Sequence, residues 1–305
     1  MVVAGTHHVI SPVGICTVSS LADKHADLWD GARYVPTRVR RVETPVRMLQ
    51  VTTSDGNSIR CGPDHIFYVP SLQREEGFRK PVAASRLHRG LRLARARHPA
   101  VDANIILRNP YMQGAYSVLG RESHDARMMD LTGPTGPAVA VRCGLPDDEE
   151  ADISGKIDHP KSHVPGNTSM TSKMMWLRGF LDALGEPVSR GKACSVSFRD
   201  QRFVKEVANL VLSCGLVCTL ETSSRGDTAR LSLTPSEASK LAGFLADGKT
   251  PAGPAEPAEG GRRIILLSNP VARAAKKAPP PVYVRSVRPV GHDMLGYDVG
   301  SAFVL

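Results

Sequence analysis

The chain has 305 residues, 39 of them Lys or Arg and 30 Asp or Glu, for a net charge of +9. A hydrophobic content of 41% is enough for buried cores, and the length fits two domains better than one. No apolar run approaches the length of a membrane helix and the start of the chain lacks the pattern of a secretory signal. The expectation is therefore an intracellular protein with no membrane partner, whose positive balance favours polyanions.

Residues 1–100 read as β-rich. Strand-like runs cover 46–53, 58–61 and 66–69, and Asp55-Gly56 is a hairpin signal between the first two. Arg86, Arg89, Arg92, Arg95 and Arg97, with Lys80, fit a nucleic-acid stripe and fit equally well a solvated strand face and loop. His7, His8 and His124 have no partner at metal-ligand spacing. The six cysteines (Cys16, Cys61, Cys143, Cys194, Cys214, Cys218) include no Cys-x-x-Cys pair, which speaks against a zinc module. Cys194 and Cys218 fall on apolar strand faces and read as buried thiols.

Residues 101–248 form a second region, in halves of about 105–150 and 160–248. Each half opens on the same nine-residue pattern, with glycine third and ninth. The copies are Met112-Gln113-Gly114-Ala115-Tyr116-Ser117-Val118-Leu119-Gly120 and Leu177-Arg178-Gly179-Phe180-Leu181-Asp182-Ala183-Leu184-Gly185. The third-position glycines, Gly114 and Gly179, would let two helices approach closely, and Gly120 and Gly185 would end them at positive φ. In the first half, 126–131 and 138–143 are expected as short strands. In the second, a strand over 194–199 precedes a helix with Phe203, Val207, Leu210 and Val211 on one face, ended by Gly215. A strand over 216–220, a turn at Ser224-Arg225-Gly226-Asp227 and a strand alternating Ala229, Leu231 and Leu233 with Arg230, Ser232 and Thr234 follow. Thr234-Pro235-Ser236-Glu237 is a capping box opening a last helix that runs to about Gly248. Residues 249–281 read as linker, rich in Ala, Pro and Gly, and 282–305 as a returning strand segment.

The two nine-residue copies resemble the LAGLIDADG helices of homing endonucleases, and Lys161-Ser162-His163-Val164-Pro165 resembles that family's Lys-x-x-Ile/Val-Pro segment. The resemblance implies paired helices, two pseudo-symmetric αββα halves, and strand sheets that saddle DNA. It also implies an acid at the eighth position of each copy, the pair holding the metal ions that cut. Here both positions are leucine, Leu119 and Leu184. Glu186, beyond the second copy, has only Glu122 as a counterpart and is a poor replacement. No cofactor is expected, with Mg²⁺ required only if cleavage survives.

The flanks resemble an intein, the Hint fold, on several segments. Ala4-Gly5-Thr6-His7-His8-Val9, Pro12-Val13-Gly14 and Ser20-Leu21-Ala22-Asp23 look like its opening block. Val51-Thr52-Thr53-Ser54-Asp55-Gly56 with Gly62-Pro63-Asp64-His65-Ile66-Phe67 looks like its second block, and 82–90 like the segment after it. Residues 284–288 and Gly296-Tyr297-Asp298-Val299 resemble the Tyr-Asp strand near its end. The resemblance places Met1 where the splicing nucleophile would be and Gly62 where a threonine would be; His65 is retained, and no terminal His-Asn follows Asp298. His65 and Asp298 then read as remnants of a splicing site, and loss of splicing is expected.

The fold expected is α+β: a β-rich Hint-like lobe built from both chain ends, plus a LAGLIDADG-like lobe. The DNA contacts implied by the resemblance fall on Ser195, Ser197, Arg199, Arg230 and Ser232, with Lys192, Arg202 and Arg225 in adjoining turns, all types suited to phosphates and guanine edges. Double-stranded DNA is the partner expected, with cleavage lost. An active endonuclease with an irregular metal site and an RNA-binding or structural part of a ribonucleoprotein assembly are the alternatives.

Overall fold

In the computed structural model of the chain, the strand Val2–Ala4 pairs with Gly296–Asp298, placing Val2 opposite Asp298. The structure describes residues 1–70, 79–94, 98–122, 126–146, 148–185, 192–223, 228–246, 281–290 and 294–300. The protein is α+β, and its chain divides into two compact units. Unit 1 combines Met1–His98 with Lys276–Leu305, and unit 2 is Pro99–Ala275.

Unit 1 is built on a seven-stranded antiparallel sheet in the order Arg92–Leu93, Val282–Pro289, Leu49–Thr53, Ser58–Cys61, Val2–Ala4, Gly296–Asp298 and Arg40–Arg41. Alternation along each strand turns one set of side chains inward: Val51 and Val284 are buried while Arg60 and Arg285 are exposed. These inward residues form one core with Val3, Val9, Val18, Leu28 and Val299. The Asp55-Gly56 hairpin is present, with Gly56 at φ +88. Unit 2 leaves the sheet between two of its neighbouring strands, since Leu93 lies opposite Val282.

Unit 2 holds the five α-helices found among the described residues. They are α1 (Pro110–Leu119), α2 (Gly136–Cys143), α3 (Met170–Ala183), α4 (Gln201–Ser213) and α5 (Pro235–Ala246). Pro110 occupies the first turn of α1, where its missing N–H costs nothing. Ser169 caps α3 by accepting from Ser172 N, and Asp200 caps α4 by accepting from the N–H groups of Arg202 and Phe203. A three-stranded antiparallel sheet follows the first helix, in the order Gly120–Glu122, Arg127–Asp130, Glu150–Asp152. A second sheet has the order Cys194–Phe198, Ala229–Leu233, Cys218–Thr222.

Three sequence expectations are corrected. The strand expected at 138–143 is helix α2: Gly136, Val139 and Ala140 are buried at helical spacing, Pro137 stands in its first turn, and Gly144 closes it at φ +62. Gly120 is not left-handed but extended, at φ −74, because it begins a strand directly. The capping box of α5 is only half made: Thr234 Oγ1 accepts from Glu237 N, but the Glu237 carboxylate turns away to accept from Val217 N and Lys240 Nζ. Residues 249–280, read as linker, the turn with Arg225, and His124 and Glu186 lie outside the described residues.

Candidate functional site

The centre of unit 2 is the pair α1 and α3. A Cβ on Gly114 would lie 2.0 Å from the carbonyl oxygen of Trp176 and 3.0 Å from Phe180 N. A Cβ on Gly179 would lie 1.9 Å from the carbonyl oxygen of Tyr111 and 3.1 Å from Ala115 N. Each glycine therefore admits the backbone of the other helix, against residues three before and one after the partner glycine. The relation is reciprocal, as across a two-fold axis. No larger residue fits at either position.

At the ends of the two copies the eighth-position leucines pack against different cores. Leu119 packs against the core of the first half, with Met129, Leu131 and Val139, whereas Leu184 packs against that of the second, with Trp176, Phe203 and Val207. Val118 touches both cores. Gly185 does adopt positive φ, at +74. Lys161 reaches the end of α1: its Nζ donates to the Gly120 carbonyl at 2.7 Å and its backbone N–H donates to Glu122 Oε1 at 2.5 Å. Beside it the rings of His159 and His163 stack at 3.8 Å, and burial followed by the His159 charge lowers the His163 pKa to about 4. Gln113 donates to the carbonyls of His159 and Pro160, leaving its buried Oε1 without a partner among the described residues. Among the described residues, no group of three or more His, Cys, Asp and Glu is arranged to hold a metal ion.

Asp182, the sixth residue of the second copy, was not singled out by the sequence reading. Its nearly buried carboxylate accepts from Arg178 Nε at 2.8 Å, from Tyr111 Oη at 3.1 Å and from Arg142. Burial, with the neighbouring carboxylate adding to it, pushes the Tyr111 phenol up to about 12. The four-residue spacing of Arg178 and Asp182 on a helix was the available signal; the Tyr111 and Arg142 contacts depend on tertiary packing.

On the second sheet the expected polar face is present. Ser195 stands opposite Ser232 and Ser197 opposite Arg230, whose Nε donates to Ser195 Oγ at 2.5 Å. Arg230 also stands opposite Glu221, a residue the sequence reading passed over. Lys192 and Arg199 are exposed, and Arg202 is exposed with an ion pair to Glu206 at 3.5 Å. The first sheet carries Arg121 between Asp130 and Glu150, at 3.6 and 3.5 Å. Taken over its whole sequence, unit 2 has 20 Lys and Arg and 20 Asp and Glu. Its sequence thus carries no positive excess.

Unit 1 gathers a different set. The Met1 ammonium donates to Asp298 Oδ1 at 2.7 Å, the Met1 carbonyl accepts from Val299 N, and the Met1 sulfur lies 3.4 Å from Ile66 N. His65 is buried next to it, its Nδ1 without a partner among the described residues, and burial, then the ammonium charge, lowers its pKa to about 4. Burial opposes ionisation of Asp298, but its hydrogen bonds and the charges of the ammonium and Arg40 outweigh that and hold the carboxyl below its usual range. Gly62 donates to the Val2 carbonyl, and a Cβ on it would meet only Val2, no closer than 3.4 Å. Met1, Gly62, His65 and Asp298, drawn from both ends of the chain, thus meet at one place. Lys80, Arg86, Arg89 and Arg92 are exposed; Arg95 and Arg97 lie outside the described residues.

No protein-family model matches the chain. The sequence is similar to the ribonucleoside-diphosphate reductase large subunit of Invertebrate iridescent virus 6, with 24% identity over 235 residues. That match covers 68% of this chain and 24% of the viral protein, so the chain spans about a quarter of the length of the relative it matches. No described helix is long and apolar enough to cross a membrane.

Proposed function

We propose that unit 1 is an intein-type Hint unit that has lost splicing, and that unit 2 is a LAGLIDADG-type insert that binds double-stranded DNA without cutting it. The observation that carries this reading is the reciprocal packing of Gly114 and Gly179, each set in a helix that leads into its own three-stranded sheet. The meeting of Met1, His65 and Asp298 supports the Hint reading of unit 1, and a match to one quarter of a larger enzyme suits an element carried inside a host protein. Loss of cleavage follows from Leu119 and Leu184, which offer no oxygen to a cation. Loss of splicing follows from Met1, whose thioether has no proton to lose and cannot attack a carbonyl.

Because the charges of unit 2 balance, its DNA binding rests on contacts at Ser195, Ser197, Arg199, Arg230 and Ser232 more than on bulk attraction. The test is selection of bound duplexes from a random pool, with cleavage products sequenced in parallel with and without Mg²⁺. A shared duplex motif without breaks is the expected outcome. Metal-dependent double-strand breaks would establish an active endonuclease instead, and preference for folded RNA would move the reading to a ribonucleoprotein component. A reporter fused to each end of the chain should stay unspliced; a ligated reporter product would overturn the reading of unit 1.

A further inference from the structure

The net positive charge of the chain belongs to one unit. Over its whole sequence, unit 1 has 19 Lys and Arg against 10 Asp and Glu, which accounts for all of the +9, since unit 2 is balanced. Within unit 1 part of the excess has a definite place. Four neighbouring strands of the large sheet, Arg92–Leu93, Val282–Pro289, Leu49–Thr53 and Ser58–Cys61, contain four arginines and no acid.

Leu93, Val282, Val284, Val51 and Cys61 are buried in the core, so the alternating positions form the outer face. There Arg92 lies directly opposite Tyr283, and Arg288, Gln50 and Arg60 stand in one row across three strands. A register shift between Val284 and Ser286 sets Arg285 beside that row. All four arginines are exposed, and none is ion-paired among the described residues. Tyr283 is 40% exposed; Tyr68, 44% exposed, lies on the strand Ile66–Pro70 of a separate two-stranded sheet, and its carbonyl accepts from Ala94 N, one residue past the strand Arg92–Leu93. Cations alone would suit any polyanion. Two open aromatic rings set among them suit a polyanion whose bases are free to stack, and a duplex keeps its base faces hidden.

We propose that this outer sheet face of unit 1 binds single-stranded nucleic acid, with bases stacked on Tyr283 and Tyr68 and phosphates held by Arg92, Arg285, Arg288 and Arg60. The site is separate from the strand face assigned to duplex DNA in unit 2 and does not depend on that assignment. The experiment is fluorescence anisotropy of the full chain with a labelled oligothymidylate, in a salt series, against a duplex of the same length. The oligothymidylate should bind. Tyr283→Ala should weaken it roughly tenfold while Tyr283→Phe keeps it, since stacking needs the ring and not the hydroxyl. Arg92→Ala with Arg285→Ala should lower the salt slope by about 0.7 for each phosphate no longer neutralised. All these positions are exposed, so unchanged melting temperatures would show the fold intact. Arg199→Ala with Arg230→Ala should leave oligothymidylate binding untouched, which separates this face from that of unit 2. The proposal is overturned by absent binding at low salt, by equal binding of Tyr283→Ala and parent, or by loss of oligothymidylate binding only in the Arg199 and Arg230 variant.

Discussion

Gly114 and Gly179 each lie within 2.0 Å, through an absent Cβ, of a backbone carbonyl that has no rotamer to escape into. Alanine at either site must push the helices apart, so a loss of at least about 3 kcal/mol is expected, at the top of the range for overpacking. Gly155, with open space around it, is the control and should tolerate alanine. Urea unfolding of the three variants checks this, and equal midpoints would refute the close crossing. His65 and His163 supply a pH dependence. Both have folded pKa values of about 4 against 6.5 for an ordinary histidine, so the unfolded chain takes up their protons first. Their contribution to stability is complete above about pH 6.5 and is lost as pH falls toward 4. The depressed carboxyl of Asp298 acts at lower pH, where its contribution disappears as it protonates. Thermal melting against pH should therefore fall between 6.5 and 4, and His163→Gln should flatten part of that fall.

At the level of elements, α4 depends on a cap. Asp200→Ala removes the acceptor for two N–H groups and should cost about 1 kcal/mol, measurable in the denaturant midpoint. Aspartate at Leu119 and Leu184 would place a carboxylate against each half's own core, so both variants should melt earlier than the parent. A rise in melting temperature on adding Mg²⁺ to the double variant would show that the two introduced carboxylates lie close enough to share a cation. Helix α4 and the strand Ala229–Leu233 were legible in the sequence because their apolar periods, 3.6 and 2, run unbroken. Helix α2 was missed because Pro137-Ala138-Val139-Ala140-Val141 alternates like a strand, although the bracketing Gly136-Pro137 and Gly144 carried the correct punctuation. The third-position glycines announced a close approach; what they approach, and the burial of Asp182 under Tyr111 and Arg142, comes from residues 40 to 71 positions away and has no local signature.

At the level of the whole chain, unit 2 occupies the place of a hairpin loop, entering after the strand Arg92–Leu93 and leaving before Val282–Pro289, its antiparallel neighbour. A short turn of about four residues in place of 95–280 should therefore yield a folded unit 1, since the ends to be joined already lie side by side. Cooperative thermal unfolding of that shortened chain is the expected result, and a non-cooperative melt would show that unit 1 leans on unit 2.

The same connectivity sets an order in time. Val2–Ala4 and Leu49–Thr53, made early on the ribosome, have as partners Gly296–Asp298 and Val282–Pro289, made after all of unit 2. During synthesis the first unit waits with strand edges bare while the second completes itself, and the later folding of unit 2 shortens the loop that the sheet must close. A nascent chain halted before residue 282 should consequently hold a folded interior domain behind an N-terminal half-sheet whose partner strands are not yet made.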